Sequence, residues 1–216
     1  MAVDTRTLCR VADEFVGAVD TCFGLYLDCS QGFRQNRDQM AKDQLSALGR
    51  FPNTPGIKSV EDLDGVEYFV APGSPNDPAT ILYHRCTQGE FKERNTPSGK
   101  NDLFIGRYCI VWLYECWESE YRDRLAHAVD LTREDLRHDV FGDLRYLRNA
   151  IIHNQGLATR ECERLRVLMP IAEGTEICLK GQDLYDVSRT IKAFVDDLLR
   201  SHTGKDPAYS TIWHLR

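Results

Sequence analysis

The chain has eight cysteines but no CxxC or CxxH pair, and a structural zinc site needs ligands at spacings of that kind. It also lacks a long apolar run. The longest, residues 108–114, falls far short of the roughly 20 residues needed to span a bilayer, so no membrane segment is expected. Basic residues are not in excess: 27 Lys and Arg stand against 33 Asp and Glu, a formal charge of -6. Global attraction to nucleic acid is therefore not expected, and a polyanion partner would have to meet a local basic patch. No internal repeat is visible, and 216 residues suffice for one well-buried core, so a single domain over residues 1–216 is expected. Nor does a basic-then-apolar leader open the sequence. With Cys9, Cys22, Cys29, Cys86, Cys109, Cys116, Cys162 and Cys178 scattered and several among apolar neighbours, buried reduced thiols in a cytoplasmic protein are expected, with neither metal nor cofactor.

What is present is helical periodicity. Leu8, Val11, Ala12, Phe15, Val16, Val19, Phe23 and Tyr26 recur at helical spacing, with Asp4 or Thr5 as N-cap. Between residues 31 and 49 the pattern thins to Phe33, Met40, Leu45 and Leu48, predicting a second helix or a continuation, largely exposed and stopped by Gly49 and Pro52. Six of the eight prolines fall in residues 51–100, where β-rich runs at 66–70 and 81–83 lie between turn signals. This segment reads as an irregular insertion with a small hairpin and a thin core of its own, and residues 90–94 as a solvated loop. Asn101 or Asp102 can cap a long central helix reaching about Val129, with Glu115, Glu118 and Arg122 on one polar face. A short extended segment around Ile177 and Leu179 precedes a last helix with Leu184, Val187, Ile191, Phe194, Val195 and Leu198 on one face. Residues 209–216, with Trp213, are expected to dock or to reach another molecule. The fold class that follows is all-α.

The most informative stretch is residues 141–154, FGDLRYLRNAIIHN. For a helix starting near Thr132, with Asp130 or Thr132 as N-cap, Asp135 in a capping-box position and Gly156 as C-cap, Val140, Leu144, Leu147 and Ile151 form the core stripe. Arg148, Asn149 and His153 occupy the remaining arc, flanked by Phe141 and Ile152. A purely solvated face should not carry that Phe and Ile. Locally the charge balance is reversed, since residues 145–160 hold three arginines and no acidic residue.

Arg148 to His153 spells Arg, four spacers, His. By chance, 20 Arg and 6 His in 216 positions give about 0.6 such pairs, so the spacing alone carries little. Two further copies exist, Arg122 to His127 and Arg133 to His138, both crowded by acidic neighbours that would pair with the Arg and repel a phosphate. Only the third copy lies in an acid-free segment, with no obvious internal partner for its polar groups.

The run DLRYLRNAIIHNQG resembles the signature of the HEPN superfamily, an Arg, a polar residue, a few apolar residues and a His near the end of a core helix. The WESEYR segment before it resembles some members too. The likeness covers about residues 103–199 and leaves the Pro-rich insertion unmatched. It implies an up-and-down helical bundle, usually a symmetric homodimer, and in many members a metal-independent endoribonuclease serving as a toxin, in phage defence or in RNA processing. Other members have lost activity and bind nucleotide, RNA or a partner protein.

Cleavage of RNA through its own 2′-OH needs a group that exchanges a proton near neutrality, a role suited to His153, and a permanently charged fork for the phosphorane oxygens, a role suited to Arg148. Asn149 shares a stripe with His153 and can orient the imidazole or bind a phosphate oxygen, whereas Arg148 points about 140° away on an ideal helix. One chain is therefore not expected to close the site. A two-fold interface sealed by Phe141 and Ile152 would bring both copies into one cleft. Arg145, Asn154 and Glu118 are supporting candidates for RNA contact. Expected partners are RNA, a second copy, and a nucleotidyltransferase-type antitoxin or other regulator. A regulator or immunity protein docking through its aromatic C-terminus is the reading from a different class.

Overall fold

The computed structural model describes residues 4–74 and 79–204; the C-terminal residues 209–216 expected to dock lie outside the described residues. The protein is mostly helical, with one small two-stranded sheet. Among the described residues no helix is long and apolar enough to cross a membrane. The chain divides into two compact units, Met1–Leu27 with Leu103–Arg216, and Asp28–Asp102.

Helix α1 spans Thr5–Arg50, so the thinning pattern after residue 31 marks a continuation of the same helix. Asp4 is its N-cap, accepting from the Thr7 N–H at 3.1 Å, and Pro52 follows its end as expected. Helix α2 is Val60–Asp64, strands β1 (Glu67–Val70) and β2 (His84–Thr87) pair antiparallel, and helix α3 is Gln88–Arg94. The hairpin therefore exists, but its second strand begins after the apolar run at 81–83, where Ile81 and Tyr83 are exposed. The expected solvated loop at 90–94 is helical because Thr87 and Glu90 form a reciprocal capping box, a local signal that outweighs the charge of the segment.

Residues Asp28–Asp102 have little apolar core: Leu63 is the buried apolar residue among those described. A buried amide organises the unit instead. Gln44 donates to Asp64 (2.8 Å) and Gln88 (3.1 Å) and accepts from Lys92 (2.9 Å), while Lys92 also pairs with Asp64 at 2.6 Å. The Lys92 hydrogen bond, opposed by burial, holds the Asp64 carboxyl below its ordinary range.

The other unit is built on α1, helix α4 (Lys100–Cys116), helix α5 (Arg122–Ala128), helix α6 (Asp139–His153) and helix α7 (Gly181–Thr203). One apolar cluster joins Leu8, Phe15 and Val19 of α1 to Ile110, Leu144, Leu147, Val187 and Ile191. Burial of such side chains contributes roughly 1.5–3 kcal/mol each. The predicted face of α7 is buried throughout. Residues 156–158 and 174–177 pair as extended chain, with the Ile177 N–H donating to Gly156 and the Ala158 N–H to Thr175, both at 2.8 Å. All eight cysteines are free thiols; Cys22, Cys109 and Cys162 are buried, whereas Cys9 and Cys178 are exposed. Cys22 and Cys109 each donate to the other's carbonyl, and this pairing together with burial keeps the Cys22 thiol protonated.

Two sequence expectations fail here for physical reasons. The long helix does not run uniformly to Val129: a π turn, Trp117–Tyr121, joins α4 to α5, and Arg122 N–H bonds back five residues to Trp117. Leu113, Trp117, Tyr121 and Leu125 recur every four residues, so a 3.6-residue helix would rotate them steadily off the core. The wider turn absorbs that drift and leaves all four buried. Helix α6 begins at Asp139, not near Thr132. Thr132 and Asp135 close a turn upon each other, and Arg122 Nε fixes the Leu136 carbonyl at 3.1 Å, holding the chain out of helical geometry until His138 caps α6 through Nδ1.

Phe141 is likewise not an exposed seal. It is 6% exposed and lies face to face on Trp117, with ring centroids 3.6 Å apart, inside a cluster with Phe15 and Phe194.

Candidate functional site

Arg148, Asn149 and His153 lie on the last two turns of α6, held there by buried Leu144, Leu147 and Ala150 on the opposite side. Helix α4 runs antiparallel beside it: Arg107 lies against Gly156 past the end of α6, and Glu115 reaches Arg148. Gly156 has φ +80, and a Cβ there would come within 2.6 Å of the Arg107 guanidinium, so glycine is required on both counts. Arg107 donates onward to the Ile177 carbonyl and to Glu176, pinning the chain that follows the site.

Arg148 is the hub. Its Nε and Nη2 both lie 3.0 Å from Glu115 Oε1, and its Nη1 lies 3.3 Å from Asn149 Oδ1 and 3.2 Å from His153 Nε2. A guanidinium only donates, so Nε2 is placed as the acceptor in this contact. Arg148 therefore does not point away from His153 as an ideal helix predicts. The Arg side chain is long enough to cross the angular offset once Glu115 holds its other edge. Asn149 contacts Arg148, not the imidazole for which it was a candidate.

His153 and Asn149 open onto a cleft of about 820 Å³ that also meets Arg145, Tyr146, Asn154, Glu161 and Glu173. The acid-free run in sequence is therefore not acid-free in space. Asn154 caps α6, its backbone N–H donating to Ala150 and its side chain to the Leu157 carbonyl. Arg145 is exposed and lies over the Tyr146 ring, 5.2 Å from its centroid. Ile152 is 52% exposed, as the sequence leads one to expect.

Glu118 sits in the π turn, away from the Arg148 hub, and is gripped by Arg133 (2.6 Å) and Arg122 (3.1 Å). Burial would raise its carboxyl, but the two guanidinium groups outweigh that and hold it below the ordinary range. Both other Arg-x4-His copies thus spend their arginines on this one carboxylate, Arg122 on an acidic neighbour as expected and Arg133 on an acid outside its own segment, where Glu134, Asp135 and Asp139 were the expected partners. No family model, curated protein or solved structure matches the chain.

Among the described residues no group of three or more His, Cys, Asp or Glu is placed to hold a metal ion. Arg148 braced by Glu115, the His153 imidazole and the Asn149 amide form a set that can donate to an anion and exchange a proton. Sequence reasoning missed two residues that build this site. In the sequence Glu115 reads only as part of a polar helix face, and nothing there says which residue of α6 it meets. Asp143 is 2% exposed, and its carboxylate accepts from the backbone N–H groups of Arg166, Val167 and Leu168 at 2.7–3.1 Å, tying the segment after the 3₁₀ turn Arg160–Arg164 onto α6. A buried Asp amid an apolar stripe was its only signal.

Proposed function

We propose that the protein is a metal-independent endoribonuclease of the HEPN type, an up-and-down helical bundle acting on RNA in the cytoplasm in a toxin, phage-defence or RNA-processing role. One observation carries this reading: Arg148 Nη1 stands 3.2 Å from His153 Nε2 at the mouth of an open cleft. In the reaction, the RNA 2′-oxygen attacks the adjacent phosphorus as His153 Nε2 accepts its proton, and the bond to the 5′-oxygen breaks. A 2′,3′-cyclic phosphate and a 5′-hydroxyl result once that oxygen is reprotonated. Arg148, steadied by Glu115, turns its Nη1 edge to the non-bridging oxygens, whose charge grows in the transition state.

The chain is proposed to work as a homodimer through this end of α6. Exposed Ile152 lies there, and α4 adds Tyr108 and Phe104, which are 47% and 73% exposed. Such a dimer would set two complete Arg–His pairs side by side, and a nucleotidyltransferase-type antitoxin or another regulator would restrain them. The Glu115–Arg148 ion pair favours a second reading, because it also serves as a plain helix staple: a non-catalytic HEPN module that binds nucleotide, RNA or a partner protein. Incubation with tRNA, mRNA and single-stranded RNA in EDTA separates the two. Cyclic-phosphate products that vanish with His153→Ala support the nuclease, and intact RNA with the wild-type protein overturns it.

A further inference from the structure

A second, larger cleft of about 980 Å³ lies along the first half of α6, facing the π turn and the chain around Arg164. Six arginines line it against four carboxylates, a net two positive charges in a chain whose overall charge is -6. The carboxylates are, moreover, largely occupied. Glu118 is held by Arg122 and Arg133, Asp139 by Arg166, and Asp143 by three backbone N–H groups. Among the described residues Arg137, Arg145 and Arg164 form no ion pair, although Arg164 helps to lower the Glu161 carboxyl and Arg137 Nε donates to the Glu134 carbonyl, and all three are exposed. Unpaired guanidinium groups around a concave surface attract a polyanion.

The floor is aromatic: half-buried Tyr114 and Tyr146 line it beside His138, backed by the buried Trp117–Phe141 stack. Burial pushes the Tyr114 hydroxyl above its ordinary range, so it remains a neutral donor. Cations over aromatic faces suit unpaired bases joined by phosphates, whereas an acidic peptide would leave the rings unused. The cleft also adjoins the one that His153 and Asn149 open onto, since Arg145 and Tyr146 line both. We infer that this cleft is the track along which single-stranded RNA is held next to the cleaved bond, with Arg137, Arg145 and Arg164 on its phosphates. The inference rests on the proposed action on RNA and adds the strand's path and its unpaired form.

The test uses the full chain carrying His153→Ala, so that RNA survives, and fluorescence anisotropy with a short labelled single-stranded RNA. Adding Arg137→Ala and Arg164→Ala should weaken binding at least about tenfold and lower the slope of log affinity against log salt by about 1.4, roughly 0.7 for each lost phosphate contact. Arg137→Lys with Arg164→Lys should keep most of the affinity, and Arg189→Ala, outside the cleft, should change nothing. Unchanged affinity and slope in the double alanine variant overturn the inference, as does equal binding of duplex RNA or equal competition by polyglutamate. Failure of the nuclease reading is distinguishable: cleft-dependent RNA binding without cleavage by the wild-type protein leaves the track standing, and normal cleavage by Arg137→Ala/Arg164→Ala removes the track alone.

Discussion

Arg148 Nη1 and His153 Nε2 meet at 3.2 Å within one chain although the residues lie five positions apart on the same helix. The contact exists because Glu115, from a neighbouring helix, anchors the far edge of the guanidinium. If the pair performs the chemistry, His153→Ala should lower single-turnover RNA cleavage by about 10² to 10⁴, the usual worth of a general acid–base group. Arg148→Ala should cost about 3–4 kcal/mol of transition-state stabilisation, and Arg148→Lys should recover little of it, since an ammonium lacks the planar fork.

Intrachain pairing makes a further prediction about mixing. Combining Arg148→Ala protein with His153→Ala protein should leave cleavage at the level of either variant alone, because no chain then holds a complete pair. Recovery toward about a quarter of wild-type activity, from the half of the dimers that are mixed and hold one complete site of two, would show that the functional pair is shared between protomers.

Glu115 is a positioning residue, and its loss should act on two kinetic constants in opposite directions. Glu115→Ala frees Arg148 to wander and should lower kcat by about tenfold, in line with the cost of small misplacements. Removing a negative charge beside the cleft should at the same time lower KM. Glu115→Gln keeps an acceptor for the guanidinium and should restore most of kcat. A parallel fall in stability with kcat and KM unchanged would leave Glu115 as a helix staple only.

Legibility in the sequence follows the range of the interactions. Periodicity located α1, α6 and α7 and the buried faces of Leu144, Leu147, Val187 and Ile191, because those depend on residues three and four apart. The exposure of Ile152 and the pairing of Arg122 with Glu118 are legible for the same reason, whereas Arg133 passes over its adjacent acids to pair with Glu118 and Asp123 on preceding elements. Helix α6 is shorter than its pattern predicts because the Thr132–Asp135 pair satisfies a capping pattern locally, while the hydrogen bond that fixes Leu136 comes from Arg122 on another element. The pattern puts Phe141 outside because its stacking partner Trp117 reaches it only through a π turn that a constant 100° per residue does not generate. Glu115, Asp143 and the cleft arginines required the register of one element against another, which no single segment encodes.

Asp143 should be a stability residue whose loss also deforms the site. Its buried carboxylate accepts three backbone N–H groups from the segment that forms one wall of the arginine cleft. Asp143→Asn keeps the size but replaces one accepting oxygen with a donor, and should destabilise the fold by about 2–4 kcal/mol in urea titrations. Hydrogen exchange at Arg166, Val167 and Leu168 should quicken most, ahead of the α6 backbone itself.

Glu118 ties acid sensitivity to the cleft. Its folded carboxyl is held below the ordinary range by Arg133 and Arg122, which overcome the opposing effect of burial. A carboxylate depressed in the folded state stabilises the protein above its unfolded pKa and loses that contribution as pH falls through the folded value. Wild type should therefore exceed Glu118→Gln in stability by about 1–2 kcal/mol at pH 7, an amount reduced by the partial exposure of the pair, and the gap should narrow as pH falls below the ordinary carboxylate range. RNA binding should move the other way. Neutralising Glu118 leaves Arg122 and Arg133 uncompensated on the cleft wall, so Glu118→Gln should bind single-stranded RNA more tightly and with a steeper salt dependence while unfolding more readily. A variant that is both less stable and weaker in RNA binding would mean that the clamp shapes the cleft more than it limits its charge, and paired urea and anisotropy titrations at pH 7 read both quantities on the same protein.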